Sequence, residues 1–113
     1  MHELTLANNI LRIITEHATK QKEGCVQEVE VVIGELSGVI IEALKAALQA
    51  VLRDTSYEHT QINLTTIKAL AKCTYCHSEV NMDTFITICP KCQHTHLTII
   101  QGKELYVKSI TFD

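Results

Sequence analysis

Four of the five cysteines form two like-spaced pairs, Cys73-x-x-Cys76 and Cys89-x-x-Cys92, with twelve residues between the pairs. Each pair can turn two sulfurs toward one centre, and Pro90 stiffens the second turn. Four thiolates suit tetrahedral zinc, which binds sulfur at about 2.3 Å and would keep no open position for water or substrate. The spacing therefore predicts a structural zinc site rather than a catalytic one.

An iron–sulfur centre, a redox-active pair and two disulfides are alternative interpretations of the same cysteines. A thiol oxidoreductase needs a Cys-x-x-Cys that begins a helix after a strand, and no helical pattern follows either pair. His77 directly follows Cys76, and His94 and His96 follow Cys92. These imidazoles are expected to be exposed polar groups, and the alternative is that one of them exchanges with a thiolate at the metal.

The amino terminus brings three nitrogen donors together: the α-amine of Met1, and the amide and imidazole of His2. Nitrogen ligands in a plane suit Ni(II) or Cu(II). Glu3 offers a further backbone amide, or a negative charge at the positive end of a helix that begins nearby. On these residues alone, a chance histidine at position 2 is the simpler interpretation.

Two helices and three strands are predicted around these residues. Apolar side chains at helical spacing predict one helix over 4–22 and a second that follows Ser37, its expected N-cap, and ends near Arg53. A period of two predicts three strands: 26–33, 62–67 and 105–112.

This order of elements predicts an α/β fold, with two helices packed on a small three-stranded mixed sheet and an inserted zinc-ribbon-like module. The last strand can join the sheet only after the cysteine segment has looped out. The expected domains are 1–70 plus 102–113 for the α/β part, and 71–101 for the insertion.

Composition excludes several classes of protein. The 113 residues are 46% hydrophobic and 20% charged, as in a soluble globular domain. A net charge of -3 gives no general attraction to phosphate backbones or anionic membranes, so neither nucleic acid nor membrane is an expected partner. No apolar run reaches about 18 residues, and the first residues lack the positive region of a secretory signal. The expected location is the cytoplasm.

A zinc-ribbon module that binds nucleic acid or another protein is the alternative function. A nucleic-acid-binding module should be basic and aromatic. The segment from Lys72 to His96 has two lysines, Lys72 and Lys91, and no arginine. Its tyrosine and phenylalanine residues are Tyr75 and Phe85. The cysteine segment therefore lacks the charge that this alternative needs.

Four motifs occur in a specific order: Met1-His2-Glu3-Leu4, Ile33-Gly34-Glu35-Leu36-Ser37, the two cysteine pairs with Pro90, and Gly102 followed by Glu104-Leu105 and a closing strand to Ile110. In these motifs the chain resembles the HypA/HybF family of hydrogenase nickel-incorporation proteins, over nearly its whole length. It departs from the family at Gln93, where members often have glycine.

The resemblance implies a nickel metallochaperone that delivers Ni(II) to the large subunit of NiFe hydrogenase together with a HypB-like maturation GTPase. In some bacteria it also implies urease maturation proteins as partners. By position, it implies nickel ligands at Met1 through its amine, at His2 through its amide and side chain, and at Glu3 through its amide. Residues 1–70 plus 102–113 are then the nickel-binding domain, and residues 71–101 are the zinc-binding domain. Zinc is expected to be structural and nickel to be the cargo. No enzymatic activity is expected. The implied zinc ligands are Cys73, Cys76, Cys89 and Cys92.

Overall fold

The computed structural model describes residues 2–21, 24–82 and 88–113. Within these ranges, neither helix has the combination of length and apolar side chains that a membrane span requires. The described elements follow in chain order: α1 (Glu3–Lys20), β1 (Val26–Gly34), α2 (Ile41–Leu52), β2 (Gln61–Ile67), β3 (Leu70–Cys73), β4 (Glu79–Asn81), β5 (Leu97–Gln101) and β6 (Leu105–Phe112).

The two helices pack against each other through their apolar stripes. Ile10 and Ile14 of α1 are buried, as are Leu44 and Leu48 of α2, at the spacing of one helical turn. The predicted helices are confirmed, but the prediction that Ser37 caps α2 was wrong. Ser37 lies in a turn that its own N–H closes to the Gly34 carbonyl at 3.0 Å, and the N-cap is Ile40.

The first sheet has the strand order β2-β1-β6. The side chain of Asn63 donates to Glu28, and that of Thr65 donates to Glu30 at 3.2 Å. Both pairs are 35 residues apart in sequence, so β1 and β2 advance in the same direction and are parallel.

On the other side of β1, the pairing reverses. The Gly34 N–H at the end of β1 donates to the Glu104 carbonyl at 2.7 Å, and the Asp113 N–H donates to the Cys25 carbonyl at 2.8 Å. The end of β1 therefore meets the start of β6, and these two strands are antiparallel. The predicted mixed three-stranded sheet is confirmed.

A second sheet, which the sequence pattern did not predict, has the order β4-β3-β5, with β3 antiparallel to both neighbours. Ala71 stands opposite Val80 on one side and Ile99 on the other. Ala69, Ala71 and Met82 form one buried cluster, and Leu97 and Ile99 of β5 pack against it.

The chain forms two compact units. The first contains both helices, and the second contains the second sheet and the four paired cysteines. Their segments are Met1–Val32, Gly38–Thr65 and Tyr106–Asp113 for the first, and Ile33–Ser37 and Thr66–Leu105 for the second. The second unit thus combines two separate pieces of chain. The assignment of nickel binding to 1–70 plus 102–113 and of zinc binding to 71–101 stays a prediction.

Candidate metal centres

The four paired cysteines converge on one point, and their sulfurs all lie within 4.8 Å of one another. Cys73 Sγ lies 3.4 Å from Cys92 Sγ, and Cys76 Sγ lies 3.8 Å from Cys89 Sγ. Tetrahedral zinc with Zn–S bonds of about 2.3 Å would separate its sulfurs by about 3.8 Å, so the cluster fits the ion. All four are free cysteines, so the alternative of two disulfides was wrong.

The first cysteine pair is held by a turn that we call knuckle 1 (Cys73–Ser78). The Cys73 carbonyl accepts the His77 N–H at 2.8 Å, and the Cys73 N–H donates to the Ser78 carbonyl at 3.0 Å. His77 has a φ of 62°, in the left-handed region. This residue turns the chain back so that Cys73 and Cys76 face the same point.

Knuckle 2 (Cys89–His94) repeats this arrangement bond for bond. The Cys89 carbonyl accepts the Gln93 N–H at 2.8 Å, and the Cys89 N–H donates to the His94 carbonyl at 2.9 Å. Gln93 has a φ of 63°. Because the turn reverses at the residue after Cys92, the position needs the left-handed conformation that glycine adopts most easily.

The pKa values of the clustered cysteines are shifted in different directions. Hydrogen bonds from the side chain and backbone of Ser78 lower the pKa of Cys76 to about 6, and the Cys92 N–H lowers the pKa of Cys89. The His94 N–H acts to lower the pKa of Cys92, but burial and the neighbouring cysteine sulfurs outweigh it and raise that pKa to about 12. These hydrogen bonds therefore favour the thiolate form of Cys76 and Cys89, and a bound metal cation would displace protons from the other sulfurs of the cluster.

The three nearby histidines are absent from the group of ligand atoms that the described residues bring together. The ring of His94 stacks on Tyr75, with centroids 3.7 Å apart and planes 18° apart. Its Nδ1 lies 3.0 Å from the Cys92 carbonyl oxygen, which fixes the Nδ1–H tautomer. His94 therefore contacts Tyr75 and the Cys92 carbonyl instead of joining the cluster. His77 and His96 are likewise outside the group of clustered ligand atoms.

The predicted nickel ligands lie at the start of α1, although Met1 falls outside the described residues. His2 is exposed and is the N-cap, with φ of -72° and ψ of 130°. The first helical bond runs from the Leu6 N–H to the His2 carbonyl at 3.1 Å. The amides of His2 and Glu3 come before that bond, so helix geometry gives them no carbonyl partner in a preceding turn.

The side chain of Glu3 has a partner that the sequence did not indicate. Its carboxylate accepts the backbone N–H of Ile40 at 3.2 Å. This bond, followed by one from the Glu3 N–H, lowers the pKa of the Glu3 carboxyl group. The partners are 37 residues apart in sequence, so no local pattern could have revealed the contact.

Comparison with known proteins agrees with this geometry. A family model described as "Hydrogenase/urease nickel incorporation, metallochaperone, hypA" matches residues 1–112. The hydrogenase maturation factor HypA of Chlorobaculum parvum is 35% identical over 115 residues, with 100% of both chains covered. That of Methanocaldococcus jannaschii is 34% identical over 121 residues, covering 100% of this chain and 98% of the other.

Two solved structures share the fold at 22% sequence identity. The solution structure of the Ni metallochaperone HypA from Helicobacter pylori has a TM-score of 0.66 and covers 99% of this chain and 97% of that one. A solution structure of a HypA protein has a TM-score of 0.71 and covers 99% and 96%. The family match over almost every residue, together with relatives above 30% identity, shows that the chain belongs to the HypA family of nickel-incorporation metallochaperones.

Proposed function

We propose that this protein takes up Ni(II) through the amine of Met1 and the amide and imidazole of His2, with the amide of Glu3 as a further donor, and delivers it during maturation of NiFe hydrogenase. The observation that carries the proposal is the start of α1, where the amides of His2 and Glu3 precede the first helical bond. Consecutive nitrogen donors can therefore surround a planar ion without breaking a helical hydrogen bond.

An ion held beside the exposed His2 would stay open to ligand exchange with the next protein. Function then consists of transfer, without catalysis, in the cytoplasm. The proposed partners are a HypB-like GTPase and the hydrogenase large subunit, and the family description supports urease maturation proteins as further partners.

Zinc is the proposed resident ion of the four cysteines, supported by their sulfur spacing. When bound, it would cross-link the two knuckles and would add the folding energy that so small a segment needs. The ligands would be Cys73, Cys76, Cys89 and Cys92. With four sulfurs around the ion, its role would be structural.

The experiment that tests the nickel site adds two residues without histidine or cysteine before Met1. Every side chain stays in place, but the Met1 nitrogen becomes a peptide amide. We expect the nickel affinity measured by calorimetry to fall at least about tenfold, or about 1.4 kcal/mol, with zinc content unchanged. Proteolytic removal of the extension, which restores the Met1 amine, is the control and should restore affinity.

Unchanged affinity, with one nickel bound per extended chain, would reject the terminal site. The ion would then have to bind elsewhere, and the imidazoles of His77, His94 and His96 would be the next group to replace.

A further inference from the structure

The start of α2 lacks a capping side chain of its own. Its N-cap is Ile40, which makes no side-chain cap bond and has no polar atom to make one. In a capping box, a Glu or Gln at the third helical position would accept the N-cap N–H, but that position holds Ala43. Glu3 of α1 supplies this bond instead, through its carboxylate.

The apolar side chains directly beside this bond are largely exposed. Ile40 is 64% exposed, and Leu4, the residue after Glu3, is 56% exposed. The carboxylate, by contrast, lies within the first turn of α1 and against the N-cap of α2, where both helix dipoles favour a negative charge. The bond from Glu3 to Ile40 is therefore a tether between two helix ends.

We propose that Glu3 is a positioning residue for the nickel site, because the bond between its carboxylate and the Ile40 N–H fixes the start of α1 and so orients the amide donors of His2 and Glu3. This inference rests on the function proposed above. A free chain end loses conformational entropy when its donors are fixed around an ion. Because the tether already restricts the start of α1 before nickel binds, less conformational entropy is lost when the ion is bound.

Two substitutions at one position test the tether. Glu3→Ala removes it, and we expect the nickel dissociation constant to rise at least about fivefold, which corresponds to the roughly 1 kcal/mol that one hydrogen bond typically contributes. Glu3→Gln keeps an oxygen that accepts the Ile40 N–H, so affinity should stay within about twofold of the parent. The matched control is Glu42→Ala, which removes a carboxylate of the first turn of α2 that faces Lys45 at 3.6 Å instead.

A second variant separates positioning from simple stabilisation of α2. Adding Ala43→Glu to Glu3→Ala allows a capping box within α2, which restores the N-cap bond but not the link to α1. We expect thermal stability to recover while nickel affinity stays low. The visible absorption spectrum of the bound Ni(II) should change in Glu3→Ala, and it should remain changed in the double variant. If Ala43→Glu restored affinity and spectrum as well, Glu3 would act only through the stability of α2 and the inference would be overturned.

The two proposals fail in different ways. If the extension before Met1 left nickel binding unchanged, the terminal site itself would be rejected, and the positioning role with it. If the extension abolished binding while Glu3→Ala kept the parent's affinity and spectrum, only the positioning role would be rejected.

Discussion

His77 and Gln93 occupy the same place in the two knuckles and have nearly the same φ, 62° and 63°. The left-handed conformation costs a residue with a Cβ about 1–2 kcal/mol. The equivalent backbone bonds in knuckles 1 and 2 show that the turn itself demands this conformation. The departure from glycine at position 93 therefore stores a small amount of strain beside Cys92.

Gln93→Gly should relieve that strain. We expect the free energy of unfolding of the metal-loaded protein to rise by about 0.5–1 kcal/mol, since the relieved strain exceeds the entropy that glycine loses on folding. Denaturant titration measures the change. Lys91→Gly, in the same knuckle but at a residue without positive φ, is the control and should destabilise instead. Equal effects of the two substitutions would contradict the explanation.

Gly34 is required for another reason, the close approach of two backbones. A Cβ at Gly34 would overlap the carbonyl of Gly102 and would lie 2.7 Å from the Lys103 nitrogen. Because neither backbone atom can rotate away, Gly34→Ala should lower the free energy of unfolding by at least about 2–3 kcal/mol, measured in urea. At Gly38 a Cβ meets nothing within 4 Å, but φ is +82°. Gly38→Ala should therefore cost only about 1 kcal/mol, and a larger loss there than at Gly34 would refute the steric argument.

At the scale of elements, the length of each segment decided what the sequence could predict. α1 has 18 residues and β1 has nine, long enough for a period of 3.6 or two to appear. β3 and β4 have four and three residues, too few to show alternation, so the second sheet was missed. These short strands depend on pairing with each other, which composition does not encode.

The cysteine cluster and the cap of α2 differ in how far apart in sequence their partners lie. The cysteine pairs carry their signal within four residues each, and the structure brings all four sulfurs together as predicted. The cap of α2 was misassigned to Ser37 because its actual partner, Glu3, lies 37 residues before Ile40. A bond between distant polar residues leaves no periodic trace in a sequence.

Replacing Cys73 or Cys89 by serine should open the metal cluster. Both residues are completely buried, so each variant would lose a thiolate ligand and leave a hydroxyl inside the unit. We expect zinc to be lost and the second unit to be destabilised by several kcal/mol, on the order seen when a structural metal is removed, while helical circular dichroism persists. Cys25→Ser changes an exposed cysteine outside the cluster and should alter neither. Retained zinc with an unchanged melting curve in Cys73→Ser would disprove the assignment.

The whole molecule is expected to release its two metals at different pH. Protons compete with Ni(II) for amine and imidazole nitrogens, so nickel affinity should drop steeply as the pH falls from about 8 to about 6. Zinc bound by four thiolates should stay in place over that range, because the ion displaces the protons of the sulfurs that bind it. Stepwise dialysis followed by metal analysis should show nickel leaving first. Loss of zinc before nickel, or flat nickel affinity between about pH 8 and about pH 6, would count against these ligand sets.

The strand order β2-β1-β6 also determines when the first sheet can close during translation. Its central strand is synthesised first, but β6 leaves the ribosome roughly 70 residues later, after about 4–14 s at ordinary elongation rates. Until then one edge of β1, with its buried Val29 and Val31, lacks its neighbour and is open to aggregation. Both knuckles emerge within that interval, so all four proposed zinc ligands are synthesised before the first sheet is complete. The length of chain between β1 and β6 therefore sets how long this edge stays uncovered during synthesis.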